Sequence, residues 1–298
     1  TESMVYSREL KIENTEFFEE PFHIMVNIGN ENEDYSLPAA MVLVDGKEIF
    51  KPSDFKKGSG PLSRKIILSA SSDLEVKLDG ETGSYVEVTI LGWLKDDLMV
   101  DIDGNIYRTV KIGSQVWMAE NLRVTKFNDG TPIPLVKDAG SWYRLTTPGY
   151  CWYDNDSASY HNNFGILYNY YAINSGNICP EGWHIPTGEE FRKLVSTLDP
   201  GADFVRHEAS LKAGGKLKES GTTHWADPNT GATNASGFTA LPGGCRSYAG
   251  NFSNLGTFGY FGGCTDEASL ALRYATGSVF MRDKVSRYVG VSVRCVKD

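Results

Sequence analysis

Cys179-Pro-Glu-Gly-Trp-His-Ile-Pro-Thr-Gly-Glu-Glu-Phe191 is the stretch whose reading decides the fold. Ile185 precedes a proline, which pushes it out of the α region and into an extended entrance. Thr187 stands where an N-cap belongs. Glu190, three residues on, can return the hydrogen bond in a capping box. Phe191, Leu194, Val195 and Leu198 then repeat at i, i+3, i+4 and i+7, the apolar stripe of a helix lying on a core. Asp199-Pro200-Gly201 stops it. The pattern predicts an extended segment, a capped start and a helix over 187–198, with a cysteine at its entrance.

Outward from that segment, composition bounds the rest. The 298 residues are 41% apolar and 22% charged, ordinary for a globular protein, and their number suggests two domains. The 31 glycines suggest a loop-rich chain with short strands. A net charge of −9 argues against nucleic acid, which needs a basic face, and against an anionic membrane surface. No run reaches the length of a membrane span. The sequence opens on Thr1 rather than Met, so a mature or trimmed chain is expected. The five cysteines (151, 179, 245, 264 and 295) form no C-x-x-C pair and all lie past residue 150. That distribution suits disulfides in an exported protein; the alternative is reduced, buried thiols.

Residues 1–97 read as an all-β, immunoglobulin-like sandwich. Met41 to Val44, Ile66 to Leu68, Leu74 to Leu78 and Val86 to Ile90 are short apolar or alternating runs. Asp45-Gly46 and Asp79-Gly80 are turn signals between them. Charges at Lys95-Asp96-Asp97 mark the boundary, and residues 98–298 form the second domain. Its Asp101-Ile-Asp-Gly-Asn105 run is similar to the start of a calcium loop but has Ile112 where the bidentate Glu should stand. A hairpin turn is the better reading. Short helices are expected over 166–173 and 203–212, the latter ended by Gly214-Gly215, and a last strand over 289–296.

Four segments of this second domain resemble the Fibrobacter succinogenes major paralogous domain. They are Tyr107-Arg-Thr-Val-Lys-Ile-Gly-Ser-Gln-Val-Trp-Met-Ala-Glu-Asn-Leu122, Gly182 to Thr187, Asn229 to Gly244 and Val291 to Val296. The resemblance implies an α+β, C-type lectin-like domain, distantly related to formylglycine-generating enzymes, in surface lipoproteins of Bacteroidetes and their relatives, with a lipid anchor expected on a removed N-terminus. It further implies that Cys179 and Cys295 staple the first helix to the last strand. Cys245 and Cys264, each following Gly-Gly, are expected to form a second bridge, leaving Cys151 a buried thiol.

The chemistry-bearing residues fit no catalytic motif. His207-Glu208 lacks the second histidine of a zincin, and His184 sits in a packed segment. Asp154 and Asp156 are paired only in sequence. A copper-holding cysteine pair would need Cys245 and Cys264 to fold together. Asp227-Pro228-Asn229 and Trp152-Tyr-Asp-Asn-Asp156 only approach the calcium and sugar motifs of C-type lectins, which leaves room for a structural Ca²⁺ and otherwise no cofactor. The stretch Arg246 to Arg287, by contrast, has the composition of a paratope, rich in rigid aromatics and small polar residues. Arg246, Tyr248, Phe252, Tyr260, Phe261, Arg273, Tyr274 and Arg282 are the candidate ligand-binding residues, with core packing as the competing role for at least half of the aromatics. The expected protein is a non-enzymatic adhesion or binding protein on the outer-membrane surface, its partner a glycan or another surface protein. A formylglycine-type oxidase and a fimbria-like structural subunit are the alternatives.

Overall fold

A computed structural model describes residues 18–30, 39–56, 61–69, 72–79, 84–95, 97–264, 269–282 and 289–298. The fold is mostly β-sheet with a few short helices. It divides into two compact units, Thr1–Asp96 and Asp97–Asp298.

In the first unit the strands are β1 (Phe18–Asn30), β2 (Ala39–Val44), β3 (Lys47–Phe50), β4 (Leu62–Ile66), β5 (Leu74–Asp79) and β6 (Ser84–Leu94). They form two antiparallel three-stranded sheets, β4-β1-β6 and β3-β2-β5. Alternation sends Phe22, Ile24 and Val26 of β1 inward to meet Val42 and Val44 of β2 and Phe50, Ile66 and Leu74, one core shared by both sheets. The β2–β3 turn is Asp45-Gly46, both at positive φ (52° and 71°), as a two-residue hairpin requires. Gly80 of the expected Asp79-Gly80 turn lies outside the described residues.

The second unit opens with β7 (Leu98–Val100), β8 (Ile106–Ile112) and β9 (Gln115–Met118). The Asp101–Asn105 run is the β7–β8 hairpin turn. Asp101 Oδ1 accepts the N–H groups of Asp103 and Asn105, each at 2.9 Å, and Oδ2 accepts the Tyr107 hydroxyl at 2.6 Å. Next come α1 (Ala139–Tyr143), β10 (Tyr150–Cys151), α2 (Ser157–Phe164), β11 (Leu167–Tyr168), α3 (Tyr170–Ile173), β12 (Trp183–His184) and α4 (Gly188–Leu198). The capping box at α4 is reciprocal. Thr187 Oγ1 accepts from Glu190 N at 3.2 Å, and Glu190 Oε2 accepts from Thr187 N at 2.9 Å. Phe191, Leu194 and Val195 are buried, and Phe191 stacks on Trp117 with ring centres 5.7 Å apart.

The chain continues through β13 (Glu208–Ser210), α5 (Ala213–Leu217), β14 (Gly243–Arg246), β15 (Phe252–Leu255), β16 (Phe258–Gly262), β17 (Ser269–Arg273), β18 (Val279–Arg282) and β19 (Val296–Lys297). One sheet runs β12-β19-β9-β8-β7, another β13-β18-β17-β16-β14-β15. Cys179 and Cys295 form a disulfide, Cα atoms 5.9 Å apart, joining positions 116 residues apart at the entrance of β12 and of β19.

Three expectations need correction. Cys245 and Cys264 are free thiols. Gly244 of β14 pairs in parallel with Gly259 of β16, so Cys245 is level with Tyr260. Cys264 lies four residues further on, roughly 13 Å along the strand direction, past the reach of a bridge. Its N–H instead donates to Pro186 O at 2.8 Å. Residues 203–212 are turns and the short strand β13, not a helix. Gly214 and Gly215 do not end a helix but lie inside α5, because a Cβ there would run into the carbonyls of Ser278 and Gly231. Finally, 289–296 is not one strand. It bridges Arg246 at Gly290, Tyr168 at Val291 and Phe261 at Ser292, serving several neighbours before β19 begins.

Candidate binding face

Strand register builds the face. Phe258 pairs with Arg273, Tyr260 with Ala271, and Ala271 with Phe280. Alternation therefore puts Phe258, Tyr260, Arg273 and Phe280 on one side of the sheet and buries Phe261, Leu270, Leu272 and Val279 on the other. The small Ala271 lies between Tyr260 and Phe280. The Arg273 guanidinium carbon is 5.1 Å from the Phe258 ring centre and 5.9 Å from that of Phe280. Phe258 lies parallel to Tyr260, 5.3 Å between centres and 6° between planes. Asn254 Nδ2 donates to the Tyr260 hydroxyl at 3.1 Å. Arg273 is exposed and has no carboxylate partner among the described residues. Chemically this is an exposed flat cation steadied by ring faces, beside planar apolar surface.

The other candidates scatter. Tyr248 is 59% exposed on the β14–β15 turn, away from this ladder. Phe252 is half-buried and leans on Tyr153, ring centres 5.3 Å apart. Tyr274 packs against the core beneath the sheet. The Arg282 side chain lies outside the described residues. Two candidates are scaffold rather than surface. Phe261 is fully buried between Phe238 and the sheet core. Arg246 is 1% exposed; its Nε donates to Gly250 O at 3.0 Å, Nη2 to Lys137 O at 2.7 Å and Nη1 to Val136 O. Its guanidinium also lies 4.6 Å from the Trp142 ring centre. Composition placed an arginine in this stretch but carried no sign that its donors would be consumed internally.

Arg246 is one of three buried cations anchored on carbonyls. Arg294 donates from Nε to Asn121 Oδ1 and from Nη2 to Thr239 O, both at 2.9 Å, and from Nη1 to Phe238 O. Lys218 Nζ donates to Thr230 O and Arg273 O at 3.0 Å and to Thr276 O at 2.9 Å. Burial lowers the Lys218 pKa to about 8 and that of Arg294 to about 9. A loop-rich domain leaves many buried carbonyls without ladder partners, and these cations, five donors per guanidinium and three per ammonium, satisfy them in groups. Lys218 also fixes the site, since one of its acceptors is the backbone of Arg273.

His184 carries a different pairing. Its Nδ1 is 2.6 Å from Asp298 Oδ1 and its Nε2 is 2.8 Å from Glu190 Oε1. Burial works against the imidazolium, but the hydrogen bonds to Asp298 and Glu190 outweigh it and raise the pKa above the ordinary value. The thiols are the reverse of activated nucleophiles. Burial raises Cys151 to about 12, against the opposing pull of Arg246, and raises Cys245 and Cys264 as well.

Neither near-lectin motif assembles a cation site. Asp156 caps α2 through Ser159 N at 3.1 Å. Asn229 donates to the carbonyls of Glu219 (2.9 Å) and Gly221 (2.6 Å). Among the described residues no three His, Cys, Asp or Glu side chains group as metal ligands.

Sequence reasoning passed over Phe258 and Phe280 as site residues, although the alternation of Phe258 and Tyr260 was a usable signal. It also missed a row of rings that runs along α2 to His224. Tyr153 meets Tyr160 at 5.5 Å, Tyr160 meets Phe164 at 6.1 Å, and Phe164 meets His224 at 5.4 Å.

The second unit is thus a β-rich domain closed by one disulfide, with irregular loops pinned by buried cations and an aromatic face on its larger sheet. The family model described as the Fibrobacter succinogenes major domain matches residues 110–297, and the chain belongs to that family. No curated protein and no solved structure matches the chain.

Proposed function

We propose that the protein is a non-catalytic binding protein whose C-terminal, C-type lectin-like unit presents Phe258, Tyr260, Arg273 and Phe280 to a glycan or a protein on a cell surface. In this reading the N-terminal unit is an immunoglobulin-like stalk on an exported, lipid-anchored outer-membrane protein. One observation carries the reading. Arg246, Arg294 and Lys218 are spent inside the fold, whereas Arg273 is exposed beside the Phe258 and Phe280 rings and has no carboxylate partner among the described residues. Aromatic and arginine anchors dominate binding energies where they meet a partner. The Cys179–Cys295 disulfide is compatible with export. The test is a glycan array and a cell-surface pulldown with the wild type, Arg273→Gln and Tyr260→Ala. Binding that falls at least tenfold in both variants, with melting unchanged, supports the face. Turnover of a small substrate without either kind of binding would sink the proposal.

A further inference from the structure

The first unit carries a cleft of about 560 Å³ that the binding face does not use. It opens between the two sheets, lined by residues of β3, of β4 and of the turn after β2. Pro21, Val44, Ile49, Ile66 and Ile67 line it as apolar surface, and Lys47 and Lys65 stand beside them. Ile67 is 71% exposed, an unusual position for isoleucine on a surface. Asp45, also at the cleft, has its carboxylate engaged elsewhere, by Ser72 Oγ at 2.9 Å and Asp73 N at 2.8 Å. Neither Lys47 nor Lys65 has an anionic partner among the described residues. In a chain of net charge −9, two unpaired ammonium groups beside one apolar cleft form a local reversal of sign.

Edge position decides what such a cleft takes. Among the described residues β4 pairs only with β1, and β3 only with β2. An edge offers main-chain donors and acceptors to an added strand, and apolar pockets beside it select alternate side chains. Arg64 already occupies the Ile49 carbonyl of β3 and pairs with Asp54 at 3.0 Å, which leaves β4 as the edge without a second strand among the described residues. Lysines on edge strands normally deter edge-to-edge pairing. Against a second copy of this edge they set lysine against lysine. Against a strand with acidic side chains the same groups attract. We infer that this cleft binds an extended peptide segment of a partner protein, one that alternates apolar and acidic residues and adds to β4.

The test uses the full chain and a capped eight-residue peptide alternating valine with glutamate, with a valine–lysine peptide as control. Titration calorimetry should show saturable binding of the acidic peptide. Amide shifts should be confined to residues 44–49 and 62–67. Lys47→Glu/Lys65→Glu should weaken it at least about tenfold, as expected for two exposed ion pairs reversed in sign, without changing the melting temperature. The control peptide should then bind the variant better than the wild type. Equal binding of both peptides by the wild type, shifts elsewhere, or no saturable binding would overturn the inference. So would occupancy by decanoate with the peptide silent, which would mark a site for small amphipathic anions. Dimerisation through these strands would overturn it too.

Discussion

Removing the Cys179–Cys295 bridge tests the architecture most directly. The bond joins positions 116 residues apart. In the chain-entropy treatment a loop of that size stabilises the folded state by about 5 kcal/mol, because the reduced unfolded chain gains freedom that the oxidised one lacks. For a unit of this size each kcal/mol moves the melting temperature by roughly 2–4 °C, so reduction should lower it by about 10–20 °C. Both sulfurs belong to fully buried residues, so the double variant Cys179→Ala/Cys295→Ala should fall at least as far, with a further loss from vacated volume. The assay is thermal denaturation followed by near-ultraviolet circular dichroism, with and without reductant, since the buried tryptophans 117, 142 and 225 all report on this unit. Thiol labelling after unfolding should count three free cysteines before reduction and five after it. A fully reduced protein that melts within about 3 °C of the oxidised one would refute the entropic argument. A mapped Cys245–Cys264 link would refute the fold around β14 and β16.

Other perturbations separate scaffold from surface. Lys218→Met strands three carbonyls and should cost about 3 kcal/mol in chemical denaturation even though it removes a buried charge. Lys218 has a folded pKa near 8 against an ordinary 10.5, so the unfolded chain holds more protons between those values. Stability should rise with pH across that window, and Lys218→Met should abolish the rise. His184 has the opposite sign. Its raised folded pKa contributes stability that is complete below about pH 6.5 and is lost as pH climbs through the folded value, a slope that His184→Gln should flatten in urea titrations. Arg246→Gln should lower the melting temperature by several degrees, whereas Arg273→Gln should leave it unchanged, and equal melting losses in the two would contradict their assigned places.

How much of this was legible depended on how far the chain reaches for its partners. The helix after Thr187 was readable because its cap, box and apolar stripe all lie within eleven residues of helix and the one before it. The Asp45-Gly46 hairpin was readable for the same reason. The residues 203–212 misled because their polar pattern is weak, and close carbonyl approach, not helix termination, explains Gly214 and Gly215. Arg246 could not be read at all. Its acceptors Val136 and Lys137 stand 110 and 109 residues away, and a sequence shows a cation without showing what will surround it. The candidate face was half legible: Tyr260 and Arg273 stood out by composition, while the register that sets them beside Phe258 and Phe280 is a property of paired strands.

The carbonyl anchors bear on how this domain can change. Arg246, Arg294 and Lys218 grip main-chain oxygens almost exclusively, and every residue type supplies one. A loop held by its backbone keeps its path when its outward side chains are exchanged. Tyr248, between the arginine at 246 and the carbonyl of Gly250 that this arginine holds, is therefore open to replacement without loosening its turn. Such positions can change one at a time while the path of the chain, and with it the stability of the fold, stays the same.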